Sequence, residues 1–538
     1  MRCYYVQYNS ILSFFEQEAV RKHQTDHAAK QTSLFQQIDW FTTLVPFLCI
    51  LALCAWFVVS PESSTNTISA IRNFLGDEMG SYYLIVGLGV FVCSLYIAFS
   101  RFGRIRLGDT DKPLYSGFQW GSMIFTAGLA ADILFYSCCE WILYASDPHT
   151  AEMGPLHDWA ATFPLFHWGP IPWGFYLVLS AAFGFMLHVR KRTRQKYSEA
   201  CRPVLGNKVD GIAGKLIDLI AVFALLAGTA TTFSLATPLL AGAISSVTGI
   251  PQSTGLTLVI LVIVCAIYTF SVYFGMKGVQ LSAATCTWLF FGLLAYVFFF
   301  GGQTRFIIEE GITALGNLTQ NFIGLATWTD SLRTSSFPQT WTIFYWAYWM
   351  VWCVAVPFFI GSISKGRTLR QVILGGYVFG LSGTFTSFII MGNYGLGLQM
   401  HGKLDVLSTY TADGNLYHAI LDILGQLPLS KAVLVLLVLC MITFYSTSFD
   451  SITMVASTYT YKELKSDEEP HRNVKLFWAI FLILLPLALI FSENSMTNLQ
   501  TVSIIAAFPV GIIMLIIITS FFKDADAYLK EQDQNTKS

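Results

Sequence analysis

Ten residues in the second half of the chain, FYWAYWMVWC from Phe344 to Cys353, hold three tryptophans, two tyrosines and a phenylalanine. Trp341, Tyr345, Tyr348, Trp349 and Trp352 recur at three, four and seven residues. At 100° per residue they form one stripe along a helix. Trp and Tyr often belt the membrane–water interface, which would account for Trp341. Trp352 lies about three turns deeper, beyond such a belt. For the deep aromatics the alternatives are ordinary helix packing and a binding box. Several electron-rich faces arranged as a box suit a bulky cation with no hydrogen to donate, at ~1–2 kcal/mol per desolvated face. A quaternary ammonium fits that chemistry. A primary ammonium would prefer carboxylates or carbonyls.

A second cluster, FHWGPIPWGFY (166–176), carries Trp168, Trp173 and Tyr176. An interfacial belt is the competing reading here. Pro170 and Pro172 are expected to disturb a regular first helical turn. Two polar features interrupt apolar runs. In IFTAGLAADILFYSCCEW (124–141), Asp132 sits bare among hydrophobic residues, and carboxylates inside membranes are costly and usually functional. It could pair with a substrate ammonium, carry a proton or help hold sodium, or be a protonated structural acid. Glu140 reads as structural or as part of an outer vestibule. In ITFYSTSFDSITMVAS (442–457) a run of hydroxyls could bond back to its own helix or offer neutral oxygens to a small hard cation. Asp450 reads as a helix-fixing acid.

The elements that must position these residues follow from composition. Of 538 residues, 54% are hydrophobic and 12% charged, about half the charge of a soluble domain. The apolar residues fall in runs near twenty, such as TLVPFLCILALCAWFVVS (43–60), the length that crosses a bilayer. The pattern predicts an all-α integral membrane protein with twelve spans: 41–60, 82–100, 121–145, 168–188, 216–243, 254–275, 282–302, 339–362, 370–396, 431–457, 475–492 and 500–522. The fifth and tenth are long enough to tilt or to extend past the bilayer. Loops 101–112, 188–196, 364–370 and 461–475 are rich in Lys and Arg, whereas 146–167 and 243–253 have none. The positive-inside rule then puts both ends in the cytoplasm. Residues 1–38 read as a cytoplasmic arm without signal-peptide features, 39–523 as the membrane domain, and 524–538 as a short tail of mixed charge. The eleven cysteines read as packed thiols. No P-loop or dinucleotide fingerprint is present. No paired acids or His/Cys/Asp cluster with ligand spacing suggests an enzyme.

WTIFYWAYWMVW followed by GSISKGRTLR (341–352 and 361–370) resembles the signature segment of the betaine/choline/carnitine transporters, and FHWGPIPWGFY resembles that family's second aromatic motif. The likeness runs from about residue 35 to 525. It implies a leucine-transporter-type fold with two inverted five-helix repeats, spans 3–7 and 8–12, and a homotrimer in the bacterial cytoplasmic (inner) membrane. It places Trp168, Tyr176, Tyr348, Trp349 and Trp352 in a substrate box, with Trp173 and Trp346 also matching motif positions. Tyr348 stands where a tryptophan is frequent, adding a hydroxyl. Lys365, Gly366 and Arg367 match the cytoplasmic end of span 8, where a positive-inside anchor explains most of the pattern. The family's glycine-rich unwound stretch reads Ala127-Gly128-Leu129-Ala130-Ala131 here. Phe444, Thr447 and Ser448, with the carbonyls of Thr126 and Leu129, match positions used by sodium-coupled members. Ion-independent exchangers place a cationic or thioether side chain where this chain has Cys286 and Val356.

The resulting expectation is a secondary transporter importing a trimethylammonium compound, coupled to sodium or protons. Asp132 favours choline over glycine betaine or carnitine. No organic cofactor is expected. An ion-independent substrate:product exchanger is the alternative. The tail lacks the longer basic stretch of osmotically regulated relatives, so nutrient uptake is as plausible as osmoprotection.

Overall fold

The computed structural model describes residues 34–129, 131–273, 276–465, 468–483 and 495–537. Most of the expected arm, residues 1–33, lies outside the described residues, as does 484–494, the second half of the expected eleventh span. The principal helices are α1 (Trp40–Val59), α2 (Gly80–Phe99), α3 (Gly117–Leu129), α4 (Asp132–Ala145), α5 (Leu156–His167), α6 (Pro170–Gly184), α7 (Ile212–Thr248), α8 (Thr254–Tyr273), α9 (Met276–Phe300), α10 (Thr304–Thr327), α11 (Ile343–Trp352), α12 (Val356–Ile363), α13 (Leu369–Ser387), α14 (Ser430–Tyr459), α15 (Arg472–Phe481) and α16 (Ser495–Lys537). The described residues form no β-strand, only two isolated bridges.

Eight of the helical segments are long and apolar enough to cross a bilayer, or ten when each bent pair counts once. The bent pairs are α3 with α4, at 56°, and the Pro338–Trp352 segment with α12, at 49°. These are the third and eighth expected spans, the first helices of the two five-span repeats. Helices α1 and α15 occupy the places of the first and eleventh spans. Helices α7 and α14 contain 37 and 30 residues, about 55 and 45 Å of helix, more than the hydrocarbon core requires. They pack through Phe233, which stacks on Tyr445 at 5.1 Å and Phe449 at 4.2 Å.

Several boundaries differ from the sequence reading. The loop 146–167 is largely helical, because its second half continues into the membrane as α5. Pro170 and Pro172 start α6 and do not disturb it. First-turn N–H groups have no intrahelical acceptor, so proline loses nothing there. Between the seventh and eighth spans lies the amphipathic α10, whose buried stripe is Ile307, Glu310, Gly311, Ala314 and Leu318. The last helix runs past residue 523 to Lys537, held by Arg190 to Asp524 at 2.9 Å and to Glu531 at 3.0 Å.

The Lys365-Gly366-Arg367 turn does more than anchor charge. Gly366 has φ +87°, and a Cβ there would meet the Lys112 carbonyl oxygen at 2.4 Å. Its N–H donates to the Leu107 carbonyl at 2.7 Å, and the Arg367 guanidinium lies 4.1 Å from the Trp120 ring centre. Helices α6 and α11 are buried along their whole described length apart from Pro170 at the start of α6, so the centre of the molecule is the wall around them. Close approach to that wall is testable at Gly380, where a Cβ would sit 2.4 Å from Trp173. Gly380→Ala should lower stability by roughly 1–3 kcal/mol through overpacking, read as a reduced melting temperature in detergent. Gly316→Ala, with no atom within 4 Å of the added carbon, should not lower it.

Candidate functional site

The break in the third span makes Asp132 the first residue of α4, where unpaired backbone N–H groups and the helix dipole favour a negative charge. Its carboxylate is fully buried. Oδ2 accepts the Thr232 hydroxyl from α7 at 2.8 Å and also the Tyr348 hydroxyl from α11. The added hydroxyl at position 348 therefore serves the acid. Oδ1 is buried with no hydrogen-bond partner, a costly arrangement for an oxygen that carries charge.

Asp132 is one wall of a narrow cavity lined by Gly128, Leu129, Trp168, Tyr176, Tyr348, Trp349 and Trp352. The sources of this wall are the break of the third span, the α5–α6 junction and the last two turns of α11. Trp349 is the hub. Its ring centre is 5.4 Å from Trp168, 4.9 Å from Tyr176 and 5.7 Å from Trp173. Trp168 lies 6.4 Å from Tyr348. Trp352 covers Gly228 of α7, where an added Cβ would lie 3.3 Å from the indole. The rings leave only about 10 Å³ open to the centre of a water molecule.

Two of the sequence-selected aromatics stand elsewhere. Trp173 backs Trp349 and Tyr176 without lining the cavity, wedged between Gly128 and Gly380. Trp346 packs elsewhere, against Gly87 of α2 and Phe166; it is two residues, about 200°, from Tyr348 on a helix that is buried all round. Trp341 bonds Asp147 at 2.9 Å from its indole nitrogen. Tyr345 stacks on His167 at 4.8 Å.

Other residues around the cavity carry no marking in the sequence reading. Tyr136, one turn beyond Asp132, packs against Trp168, Tyr345 and Tyr348. Thr232 belongs to a TATTFS run in α7 that resembles the hydroxyl run of α14 and could have been found by the same criterion. Glu140 is structural in a specific sense. Oε2 accepts the Trp168 indole N–H at 2.7 Å and Oε1 accepts the Tyr144 hydroxyl at 2.6 Å. His167 continues this network to Thr342 at 3.0 Å. The orientation of one cage wall is thus set by a buried carboxylate two turns above Asp132.

The hydroxyl run of α14 meets the same break. Ser448 donates to the Thr126 carbonyl at 3.2 Å. Thr447 bonds back to Thr443 at 3.1 Å and Phe444 at 3.0 Å, with Cys286 beside it. Phe444 packs its ring on Phe125 and Phe290. Leu129 stands in the cavity wall. Asp450 accepts the Ser271 hydroxyl at 2.5 Å, one turn away from these oxygens.

A sequence profile described as BCCT, the betaine/carnitine/choline family transporters, matches residues 41–530. The chain belongs to this family. It is 31% identical over 500 residues to the glycine betaine transporter OpuD of Bacillus subtilis, covering 90% of this chain and 95% of that one. It is 30% identical over 480 residues to a probable glycine betaine transporter of Desulfitobacterium hafniense, covering 88% and 95%. A carnitine transporter of Acinetobacter baumannii is 26% identical over 89% of this chain and 87% of that protein. A solved sodium-coupled sialic acid symporter aligns with 85% of this chain and 86% of that chain at 13% identity and a TM-score of 0.45. The protein is therefore a multi-pass membrane transporter and not an enzyme.

The Glu140 network yields a direct test. Glu140→Ala strands the Trp168 N–H, at about 1–3 kcal/mol for an unmet buried group, and leaves the Tyr144 hydroxyl with His167 alone. The melting temperature in detergent should fall clearly. Glu140→Gln keeps an amide oxygen for Trp168 and should fall less. Equal losses would show that the carboxyl oxygens do not hold the indole.

Proposed function

We propose that this transporter imports a trimethylammonium compound, choline ahead of glycine betaine or carnitine, in symport with sodium. The observation that carries this reading is the unpartnered Oδ1 of Asp132 within a cage of Trp168, Tyr176, Tyr348, Trp349 and Trp352. A permanent cation gives that oxygen a counter-charge and gives the rings a partner, while demanding no acceptor of its own. Glycine betaine and carnitine bring a carboxylate of their own, which the Asp132 charge repels. Choline brings a hydroxyl. The relatives named above, transporters of glycine betaine or carnitine, support the trimethylammonium class.

Sodium is supported by the neutral oxygens at the second crossing of broken and unbroken helix. The Thr126 carbonyl and Ser448 hydroxyl already meet at 3.2 Å, and Phe444 and Thr447 lie within the same stretch of α14 as Ser448. An ion held there would tie α3 to α14 and favour the substrate-loaded arrangement. Reciprocally, bound substrate would raise the affinity for the ion. Rocking of the bundle containing both breaks then exposes the cage to either side. The asymmetry of Lys and Arg in the loops supports a cytoplasmic location for both termini, and the bacterial relatives support the inner membrane. The homotrimer and the division at residues 38 and 523 belong to the same proposal. Light scattering in detergent measures the first.

Purified protein in liposomes tests the function. An inward sodium gradient should drive choline accumulation, and neither a proton gradient nor internal choline alone should replace it. Uptake sustained by internal substrate without any gradient would establish an exchanger and overturn symport. Asp132→Gly should weaken choline binding at least tenfold, about 1.4 kcal/mol, and leave glycine betaine equal or tighter. An unchanged ranking would remove Asp132 from substrate selection. Trp349→Leu and Trp352→Leu should each cost ~1–2 kcal/mol of affinity for any trimethylammonium ligand, measured by calorimetry.

A further inference from the structure

The buried stripe of α10 contains an acid where its pattern calls for an apolar residue. Glu310 follows Ile307 and precedes Ala314 and Leu318 on the face that packs against α5, and its side chain is only 6% exposed. The opposite face of α10 handles its own charge, with Arg305 paired to Glu309 at 2.8 Å. Glu310 meets the first turn of α5. Its Oε2 lies 3.1 Å from Nδ1 of His157, and Oδ1 of Asp158 lies 3.0 Å from the same nitrogen. One imidazole nitrogen carries at most one hydrogen, so it cannot serve both carboxylates. Glu310 Oε1 is buried and has no hydrogen-bond partner. One donor atom from each of the three side chains lies within 4.8 Å of the others.

We propose that His157, Asp158 and Glu310 form a site for a divalent transition-metal cation of the zinc class. The donor set is one imidazole nitrogen and two carboxylates, the borderline combination that zinc accepts and that magnesium or calcium, preferring all-oxygen shells, does not. Metal–ligand bonds of about 2.1 Å give a tetrahedron with edges of roughly 3.4 Å. The nitrogen–oxygen separations of 3.0 and 3.1 Å are already close to that. His157 and Asp158 are 34% and 22% exposed, which leaves a fourth position facing water. His157 and Asp158 lie in the segment 146–167, which has no Lys or Arg, and the cluster is separate from the aromatic cavity. Its mechanical connection to that cavity is α5 itself. The helix begins at the cluster and ends at His167, beside Trp168, so a cation that clamps α5 to α10 fixes the approach to one cage wall.

The test uses the full chain in detergent, freed of any affinity tag and stripped with a chelator, titrated with zinc chloride by calorimetry. Wild type should bind one zinc per chain with micromolar or better affinity, unaffected by excess magnesium. Zinc should also raise its melting temperature. Glu310→Gln and His157→Asn should each weaken binding at least tenfold and abolish the thermal shift. His157 is partly exposed, so its variant decides the question if Glu310→Gln does not fold. Absence of binding to wild type, displacement by magnesium, or the same affinity in His157→Asn would overturn the site.

Discussion

A carboxylate inside a membrane protein has to be neutralised, hydrogen-bonded or paired, and Asp132 obtains only part of that from its own chain. One oxygen receives two hydroxyls, from Thr232 and Tyr348. The other receives nothing, in a pocket whose remaining walls are Gly128, Leu129 and five aromatic rings. Ring faces have no hydrogen-bond donor to offer an anion, and they repel negative charge. The same faces attract a positive charge. Anion and aromatics therefore conflict with one another until a cation stands between them, and that conflict makes this cavity selective for charge.

The scaffold is arranged to hold the conflict in place. The broken third span brings Asp132 to a helix start, where backbone N–H groups offset part of its charge. Gly128 lets Trp173 approach and press Trp349 forward. Pro170 and Pro172 allow α6 to begin directly after Trp168, so that Trp168 and Tyr176 project from two sides of a sharp junction. Glu140 fixes the indole of Trp168 through a bond of 2.7 Å. None of these groups needs to touch a ligand. Each restricts where a ring face can point, and preorganisation of that kind reduces the ordering cost of binding.

Much of this was legible in the sequence because it is local. The helical stripe of Tyr348, Trp349 and Trp352 follows from spacing alone. The spans follow from run length. Departures arise where the deciding contact is distant in the chain. Trp346 belongs to the same aromatic run but packs on Gly87, more than 250 residues earlier, and spacing on a helix buried all round cannot say which face meets the cavity. Trp173 matches a motif yet stands behind the cage. The two prolines gave the wrong expectation because their effect depends on whether a helix starts before or after them. The amphipathic α10 was hidden by its short apolar stripe, and with it the meeting of Glu310 with His157 and Asp158. No search for ligand spacing finds a cluster whose members are 152 residues apart.

The central claim is that the cage recognises positive charge and not merely a methylated shape. Replacing the choline nitrogen with carbon gives 3,3-dimethylbutan-1-ol, a neutral molecule of nearly the same size. Equilibrium binding of the two to the purified transporter separates the contributions directly. The account predicts that the neutral alcohol binds at least a hundredfold more weakly, about 2.7 kcal/mol, and that the gap narrows in Asp132→Gly. Comparable affinity for the two compounds would contradict it.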